Sequence, residues 1–312
     1  MVMIFLVALT LGILPLFFKS VFFYHVLIKT LLYAVMAQAW NIIGGYAGQV
    51  SFGHAVFFGI GAYTSTVLLR DFSLTPWLGA LAGGIIATLV AALISYPTFK
   101  LKGHYFAIAT FAIVEIFGEL VKVWDYLEGA IGIDLPVLEE GFYNFMFYKN
   151  KLPYLYVILS FFLFVFLLVR KLERMRFGYY LRAIKESQEA AEALGVNSGR
   201  YKLYAMMISA FLTALCGTFY AQYVLRVEPS TVMSLDVSIM IVLVCVLGGA
   251  GHLWGPFVGA VILVPLSEYT RAIIGGTGKG IDLIIFGFLI MLVSTSQPKG
   301  VVGLFSSLRR RV

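Results

Sequence analysis

The sequence predicts an all-α membrane protein, a polytopic bundle of about ten transmembrane helices, because three bulk properties agree. Hydrophobic residues make up 61% of the 312 positions and charged residues only 12%, whereas a water-soluble domain is about half apolar and a quarter charged. The mean hydropathy is +0.93. Each crossing takes roughly 20 residues, so about ten crossings use almost the whole chain. We therefore expect residues 1–312 to form a single transmembrane domain.

Apolar runs bounded by charges, glycine and proline locate the helices along the chain. The first run lacks a basic start and a small-residue cleavage site, so we interpret it as a helix and not as a signal peptide. The run 237–249 is short for a crossing, and the Gly-rich stretch behind it is a candidate for a segment that enters the bilayer without crossing it. The predicted helices cover 1–18, 24–43, 50–69, 77–96, 104–122, 153–169, 203–225, 237–249, 255–270 and 281–295.

Lys and Arg predict the orientation, because cytoplasmic loops of membrane proteins collect these residues. The basic loop, residues 170–202, therefore belongs in the cytoplasm, whereas the acidic loop 123–152 belongs outside. An even number of crossings places both termini in the cytoplasm, in agreement with further basic residues at Lys100, Lys102, Lys299, Arg309, Arg310 and Arg311. Lys19 and Lys29 fall on the outer side and are exceptions. The net charge of +7 thus fits a membrane orientation and requires no nucleic-acid partner.

A polar, Gly-rich segment at residues 41–63 lies between two apolar helices. Lipid offers no partners for backbone groups, so such a segment is packed in protein or lines a wet cavity. Gly249 and Gly251 follow an apolar run in the second half of the chain, and paired Gly-interrupted hydrophobic segments are typical of transport sites. We predict a substrate pathway formed by both segments, with polar groups from Asn41, Tyr46, Gln49, Ser51 and His54. The alternative is that these side chains only hold helices together.

The predicted helix 104–122 carries ionisable residues on one side. At 100° per residue, His104, Glu115, Glu119 and Lys122 fall within roughly 60° of one another. Glu115 lies about 16 Å along the axis from His104, at a depth where carboxylates are rare and usually face the interior of a helix bundle. We predict that Glu115 belongs to the substrate pathway. The alternative is a structural pair with a neighbouring helix, and an i, i+3 pair is predicted for Glu119 and Lys122.

The basic loop contains a run rich in Glu and Ala at 182–195. Gly195 is a natural helix stop, and the apolar residues lie broadly on one side: Ala183, Ile184, Ala190, Ala191 and Leu194. We therefore predict one short amphipathic helix, held outside the membrane between two crossings. Such a helix either lies on the lipid surface or contacts a soluble partner protein.

Several blocks of the sequence resemble a known transporter family. The Glu189-Ala190-Ala191-x-x-x-Gly195 spacing resembles the cytoplasmic EAA loop of bacterial ABC importer permeases. Longer blocks, in the same order, resemble the branched-chain amino-acid permeases of the Liv type, specifically the LivM branch. They are NIIGGYAGQVSFGHAVFFGIGAY, PTFKLKGHYFAIATFAIVEI, RAIKESQEAAEALGVNSGRYKLYAMMISAF and LGGAGHLWGPFVGAVIL, between residues 38 and 268.

The resemblance implies the membrane-spanning subunit of an ABC importer that moves leucine, isoleucine and valine inward by alternating access. It implies a second, LivH-like permease in a heterodimer, a periplasmic amino-acid-binding protein, and two ATPase subunits that carry ATP and Mg. The basic loop becomes the coupling loop to those ATPases, through Arg182, Glu186, Glu189, Ala190, Ala191 and Gly195. The implied location is the cytoplasmic (inner) membrane of a bacterium or archaeon. Relatives carry other amino acids and urea, so the resemblance leaves the substrate open within that range.

No catalytic residue, metal or cofactor is predicted for this chain. Residues 275–280 resemble a P-loop only superficially, because Gly280 stands where that motif needs Ser or Thr. No metal-ligand spacing links the four histidines, His25, His54, His104 and His252. An enzyme would need a nucleophile beside a base, and no such pair stands out. The remaining alternative is an ion-coupled secondary transporter of small amino acids that uses Glu115.

Overall fold

A computed structural model gives the fold and describes residues 10–12, 20–101, 103–274, 287, 291 and 300–303. Most of the predicted helices 1–18 and 281–295 lies outside these residues. So do the P-loop-like stretch and the following basic residues: Lys19, Lys102, Lys299, Arg309, Arg310 and Arg311. The cytoplasmic placement of both termini therefore stays a prediction.

The described part of the chain is built from helices and short connections. The helices are α1 (Val21–Trp40), α2 (His54–Phe72), α3 (Pro76–Thr98), α4 (His104–Lys122), α5 (Leu152–Arg174), α6 (Arg176–Glu186), α7 (Gln188–Ala193), α8 (Ser198–Val224), α9 (Pro229–Val232), α10 (Leu235–Gly248) and α11 (Gly255–Ile274). A π-helical turn, Asn41–Tyr46, continues α1, and a 3₁₀ turn covers Asp125–Leu127. Two short antiparallel strands, β1 (Ile133–Asp134) and β2 (Arg226–Val227), pair Ile133 with Val227.

Within the described residues, six helical segments are long and apolar enough to cross a membrane. They are Val21–Tyr46, Pro76–Thr98, His104–Lys122, Leu152–Arg174, Ser198–Val224 and Pro229–Gly248. The prediction of an all-α, multi-crossing membrane protein is confirmed at this level. The total of about ten crossings stays a prediction based on chain length.

Two predicted helices differ in the structure for local reasons. The run 237–249 is not short for a crossing, because helical residues begin at Pro229 and the segment Pro229–Gly248 has 20 residues. The predicted helix 203–225 starts earlier, at Ser198. There the Asn197 side chain accepts a hydrogen bond from the Arg200 backbone N–H, an N-cap that satisfies a helix donor otherwise left without a partner.

The chain divides into two compact units. The first takes the described residues within Met1–Gln38, Phe147–Leu168 and Leu243–Val312, and the second takes those within Ala39–Met146 and Val169–Val242. The basic loop and the Gly-rich segment 41–63 both belong to the second unit.

The second unit is packed through glycines where α2 meets α8. A Cβ atom built on Gly61 would lie 1.9 Å from the Ala214 carbonyl oxygen, and one on Gly217 would lie 1.9 Å from that of Phe58. Thr218 Oγ1 also donates to the Gly61 carbonyl at 3.1 Å. Association of helices in lipid depends on close packing and interhelical hydrogen bonds, so these glycines bring α2 and α8 into direct backbone contact.

The acidic loop of the second unit is fixed to neighbouring elements. Trp77 Nε1 donates to the Phe142 carbonyl at 2.7 Å, and Arg226 contacts Asp134 at 3.3 Å. Tyr126 donates its hydroxyl proton to Asp71 at 2.6 Å. That hydrogen bond, which favours the protonated phenol, raises the pKa of Tyr126.

In the first unit, α1 and α11 share a partly buried ionic cluster that the sequence did not reveal. Lys29 Nζ donates to Glu268 Oε1 at 3.0 Å, and His25 Nε2 lies 3.6 Å from Glu268 Oε2. The Glu268 side chain is 12% exposed. Charged residues inside membrane helices are costly and pair with one another. Lys29 is thus part of a helix-helix contact, which removes one of the two exceptions to the predicted orientation.

We expect Glu268→Gln to lower the free energy of unfolding by about 3 kcal/mol, because it leaves the Lys29 ammonium without its carboxylate. The double variant Lys29→Met/Glu268→Gln should recover most of that loss. Denaturant unfolding in detergent measures both. Equal destabilisation in the single and double variants would show that the two side chains do not stabilise each other.

Candidate functional site

The Gly-rich segment begins with the π-helical turn Asn41–Tyr46, and all six of its residues are buried. The Trp40 indole covers this turn: a Cβ atom on Gly44 would lie 2.3 Å from the ring. Trp40 Nε1 donates to the Ser51 carbonyl at 2.7 Å. The chain after the turn therefore folds back onto the end of α1. π-Turns inserted in membrane or soluble helices are rare and frequently mark functional positions.

His54 joins the start of α2 to two other helices. Its Nε2 atom lies 2.7 Å from Ser209 Oγ, which donates to the Ala39 carbonyl at 2.7 Å. A hydroxyl has one proton, so Ser209 accepts from His54 Nε2–H, which fixes the imidazole tautomer. This chain of hydrogen bonds connects α1, α2 and α8 inside the second unit.

Two hydroxyl side chains that the sequence did not single out accept hydrogen bonds from two further backbone N–H groups of the segment. Phe52 N–H donates to Thr110 Oγ1 at 3.0 Å, and Ala55 N–H donates to Ser238 Oγ at 2.9 Å. Neither hydroxyl belongs to a recognisable motif. Their only sequence signal is a small polar residue within an apolar helix, which is also typical of ordinary helix packing.

The structure thus gathers Asn41, Tyr46, Ser51 and His54 in the buried part of one unit, with Gln49 partly exposed. Ser51 and His54 have hydrogen-bond partners within the protein: Ser51 Oγ accepts from Gly53 N–H. The helix-packing alternative therefore accounts for the Ser51 hydroxyl and for His54 Nε2, whereas His54 Nδ1 is buried without a hydrogen-bond partner among the described residues. A role for all five residues in a substrate pathway stays a prediction.

Glu115 does not lie in the interior of this chain. It is exposed on α4, and apolar residues beside it, Ile108 and Ile116, are exposed as well. The expectation of an interior position was wrong for the single chain, because periodicity predicts which residues share a face and not what covers that face. The predicted pair on the same helix is confirmed, with Lys122 Nζ 2.6 Å from Glu119 Oε1.

Gly249 and Gly251 belong to the first unit, in the turn between α10 and α11. Both have positive φ values, 125° and 85°. A Cβ atom on Gly255 would lie 2.1 Å from the Gly249 carbonyl oxygen. The glycines here allow two helices to approach closely around a tight turn. This packing requirement explains the glycines, and a pathway role for Gly249 and Gly251 stays a prediction.

The run 182–195 is not the single helix that the sequence predicts. Helix α6 ends at Glu186, Ser187 is extended (φ −157°, ψ 111°), and α7 starts at Gln188. Ser187 Oγ accepts from the Ala190 N–H at 3.2 Å. Because a serine N-cap stabilises a new helix start, the break falls at this residue. Gly195, with φ 85°, follows the end of α7 as predicted.

The two short helices differ in what they expose. Glu186, Glu189 and Ala190 are exposed, and Leu194 just after α7 is 86% exposed. The predicted single apolar face is therefore wrong, since α7 turns Ala190 outward and buries Ala191. Lys202 Nζ donates to Gln188 Oε1 at 2.7 Å and anchors α7 to the start of α8.

A cavity of about 320 Å³ lies beside these helices within the second unit. The Gly-rich segment, the loop before α4, the α6–α7 junction and α8 all contribute to its wall. Polar lining residues include Gln49, Lys185, Ser187, Gln188, Glu189 and Lys202. The sequence did not predict this cavity, because it joins residues far apart in the chain.

Comparison with known proteins decides the family. The family of permease components of branched-chain amino acid transport systems matches residues 22–294. The chain belongs to this permease family. That match covers the Gly-rich segment, α4 and the coupling loop, which are the regions described above.

The permease is similar to the high-affinity branched-chain amino acid permease protein LivM of Escherichia coli strain K12, with 27% identity over 88% of this chain and 68% of that protein. It is 24% identical to LivH of Salmonella typhimurium strain LT2, over 87% and 91%. The nucleoside ABC transporter permease NupC of Lactococcus lactis is 25% identical over 60% and 63%. No solved structure matches the permease.

We expect Ser209→Ala in this permease to lower stability by about 2 kcal/mol, because it leaves His54 Nε2–H and the Ala39 carbonyl buried without their partner. Ser160→Ala is the matched control. Its hydroxyl bonds the Tyr156 carbonyl on an exposed face of α5. Thermal unfolding in detergent compares the two variants. Similar losses in both would argue against the His54–Ser209–Ala39 network as a stabilising element.

Proposed function

We propose that this permease imports branched-chain amino acids as the membrane-spanning subunit of an ABC importer. The observation that carries the proposal is the family match over residues 22–294, which includes the α6–α7 pair with its exposed tip. Separate ATPase subunits, which bind ATP and Mg, drive alternating access. The P-loop-like sequence at 275–280 departs from the motif, which supports an external source of ATP hydrolysis.

The coupling loop 170–202 provides the ATPase contact. Glu186, Glu189 and Ala190 are exposed, whereas Ala191 is buried and holds α7 against the permease. Gly195 ends α7, so Leu194 projects from its tip. Arg182 lies on the side of α6 that contacts the permease itself. This arrangement supports docking of the exposed side of α7 into an ATPase surface, while the buried side of α7 packs against the permease.

The permease works with a second, LivH-like permease subunit and a periplasmic amino-acid-binding protein. Similarity to both LivM and LivH supports a heterodimer of related chains. The positive-inside distribution supports about ten crossings with both termini in the cytoplasm of a bacterium or archaeon. The acidic outer loop, 123–152, then faces the binding protein.

Within the second unit, the substrate pathway runs along Asn41, Tyr46, Gln49, Ser51 and His54, with Glu115 as a further member. A carboxylate exposed on a membrane helix is unfavourable in lipid. The exposed position of Glu115 on α4 therefore supports an orientation toward the second subunit or toward water. An apolar substrate side chain needs space, and its charged groups need fixed dipoles such as helix ends.

The comparisons do not support an ion-coupled secondary transporter. Relatives in the comparison are permeases of ABC systems, including one for nucleosides. We therefore propose no role for the Glu115 carboxylate in ion coupling. The proposed substrate class is inferred from the family match.

We expect Glu189→Lys and Gly195→Asp each to reduce ATP-dependent leucine uptake about tenfold or more, because each disturbs the docking tip. Membrane insertion should be unchanged. Uptake is measured in vesicles that contain the permease, its partner permease, the ATPases and the binding protein. Arg200→Glu, a charge reversal on the same loop outside α7, should retain uptake. Normal uptake in both the Glu189→Lys and the Gly195→Asp variants contradicts the docking role.

A further inference from the structure

The inner side of α6 holds the π-helical turn through a lysine. Lys185 Nζ donates to the Gly45 carbonyl oxygen at 2.9 Å, across 140 residues of sequence. Gly45 lies in the last residues of the turn, where helical carbonyl groups have no partner within the helix. A lysine at this position satisfies such a carbonyl and interacts favourably with the negative end of the helix dipole. The contact therefore joins α6 to the end of the α1 helix.

A second contact is formed one helical turn earlier on α6. The Arg182 guanidinium lies 5.6 Å from the centre of the Tyr46 ring, a geometry that gives a cation–π attraction. Arg182 also pairs with Glu173 on α5. This ion pair helps to hold the guanidinium over the ring, although the Arg182 side chain stays 41% exposed.

The third contact lies just after the turn. A Cβ atom on Gly48 would be 3.1 Å from Lys185 Cγ and 3.6 Å from its Cα. The Gly48 backbone, at φ 71°, thus packs directly on the stem of Lys185. Farther along, the cavity of about 320 Å³ separates the α6–α7 junction from the Gly-rich segment. Three contacts beside this cavity thus join α6 to the segment: those of the two cationic side chains and that of Gly48.

We propose that Lys185 and Arg182 are positioning residues that transmit movement of the coupling loop to the π-helical turn Asn41–Tyr46. The inference rests on the proposed function and extends it, since it assigns the element inside the permease that responds to the ATPases. The turn moves with α6 because its Gly45 carbonyl and its Tyr46 ring are both held by that helix. Lys185 is not among the residues that are predicted above to contact the ATPases.

The test measures leucine uptake and ATP hydrolysis in the same proteoliposomes, with the full complex and binding protein. Lys185→Met keeps the aliphatic stem against Gly48 and removes the ammonium group. We expect uptake per ATP hydrolysed to fall about tenfold, the effect of losing one hydrogen bond to a charged donor. ATP hydrolysis and complex assembly should be unchanged. Lys185→Arg should restore most of the coupling.

Lys171→Met, an exposed lysine at the end of α5, is the matched control and should leave the ratio unchanged. Arg182→Gln and Tyr46→Leu should lower the ratio as Lys185→Met does. These variants test the same linkage if Lys185→Met does not assemble.

A wild-type ratio in Lys185→Met, Arg182→Gln and Tyr46→Leu overturns the inference while the proposed function stands. Parallel losses of uptake and ATP hydrolysis in these variants also overturn it, because they indicate a structural or docking role. Wild-type vesicles without ATP-dependent uptake overturn the proposed function, and the inference with it.

Discussion

Polar backbone groups inside a bilayer must find partners within the protein, and the second unit of this permease depends on that constraint. Between α1 and α2 the chain is not a regular α-helix, so its backbone N–H and C=O groups need other hydrogen-bond partners. Trp40, Thr110, Ser209 and Ser238 supply several of them from elsewhere in the unit. Lys185 supplies another from the coupling loop. The interruption is thereby part of the same hydrogen-bonded structure as helix α6.

Glycines allow the helices of the second unit to pack closely against each other. Lipid gives helices little hydrophobic reason to associate, so close backbone contact has to supply the attraction. Gly61 and Gly217 allow this between α2 and α8. The helix that begins at His54 therefore sits on α8 as one packed body. A displacement of the π-turn, as proposed above, would then act on a firmly packed neighbouring helix.

Charged residues take three kinds of position. Lys29 and Glu268 neutralise each other within the first unit. Glu115 is exposed on α4 and requires a partner outside this chain or water. On α6 and α7, Glu186 and Glu189 are exposed, whereas the partly exposed Lys185 and Arg182 side chains also contact the π-turn. One short segment can thus bind a soluble partner on one side and hold a membrane helix on the other.

Local properties of the sequence determined the membrane class, the positions of most helices, the stop at Gly195, the Glu119–Lys122 pair and the family. These follow from hydropathy, helix periodicity and motif spacing, which involve residues near one another in the chain. Only the tertiary structure decided that Lys29 meets Glu268, that Ser209 completes the His54 network, that Ser187 divides the coupling helix and that Glu115 lies on the surface. Most of these features depend on which surfaces meet across more than a hundred residues, and periodicity carries no information about the partner. The Ser187 break is local, but a capping serine in a run of good helix formers is recognised only once its side chain is seen to accept the Ala190 N–H.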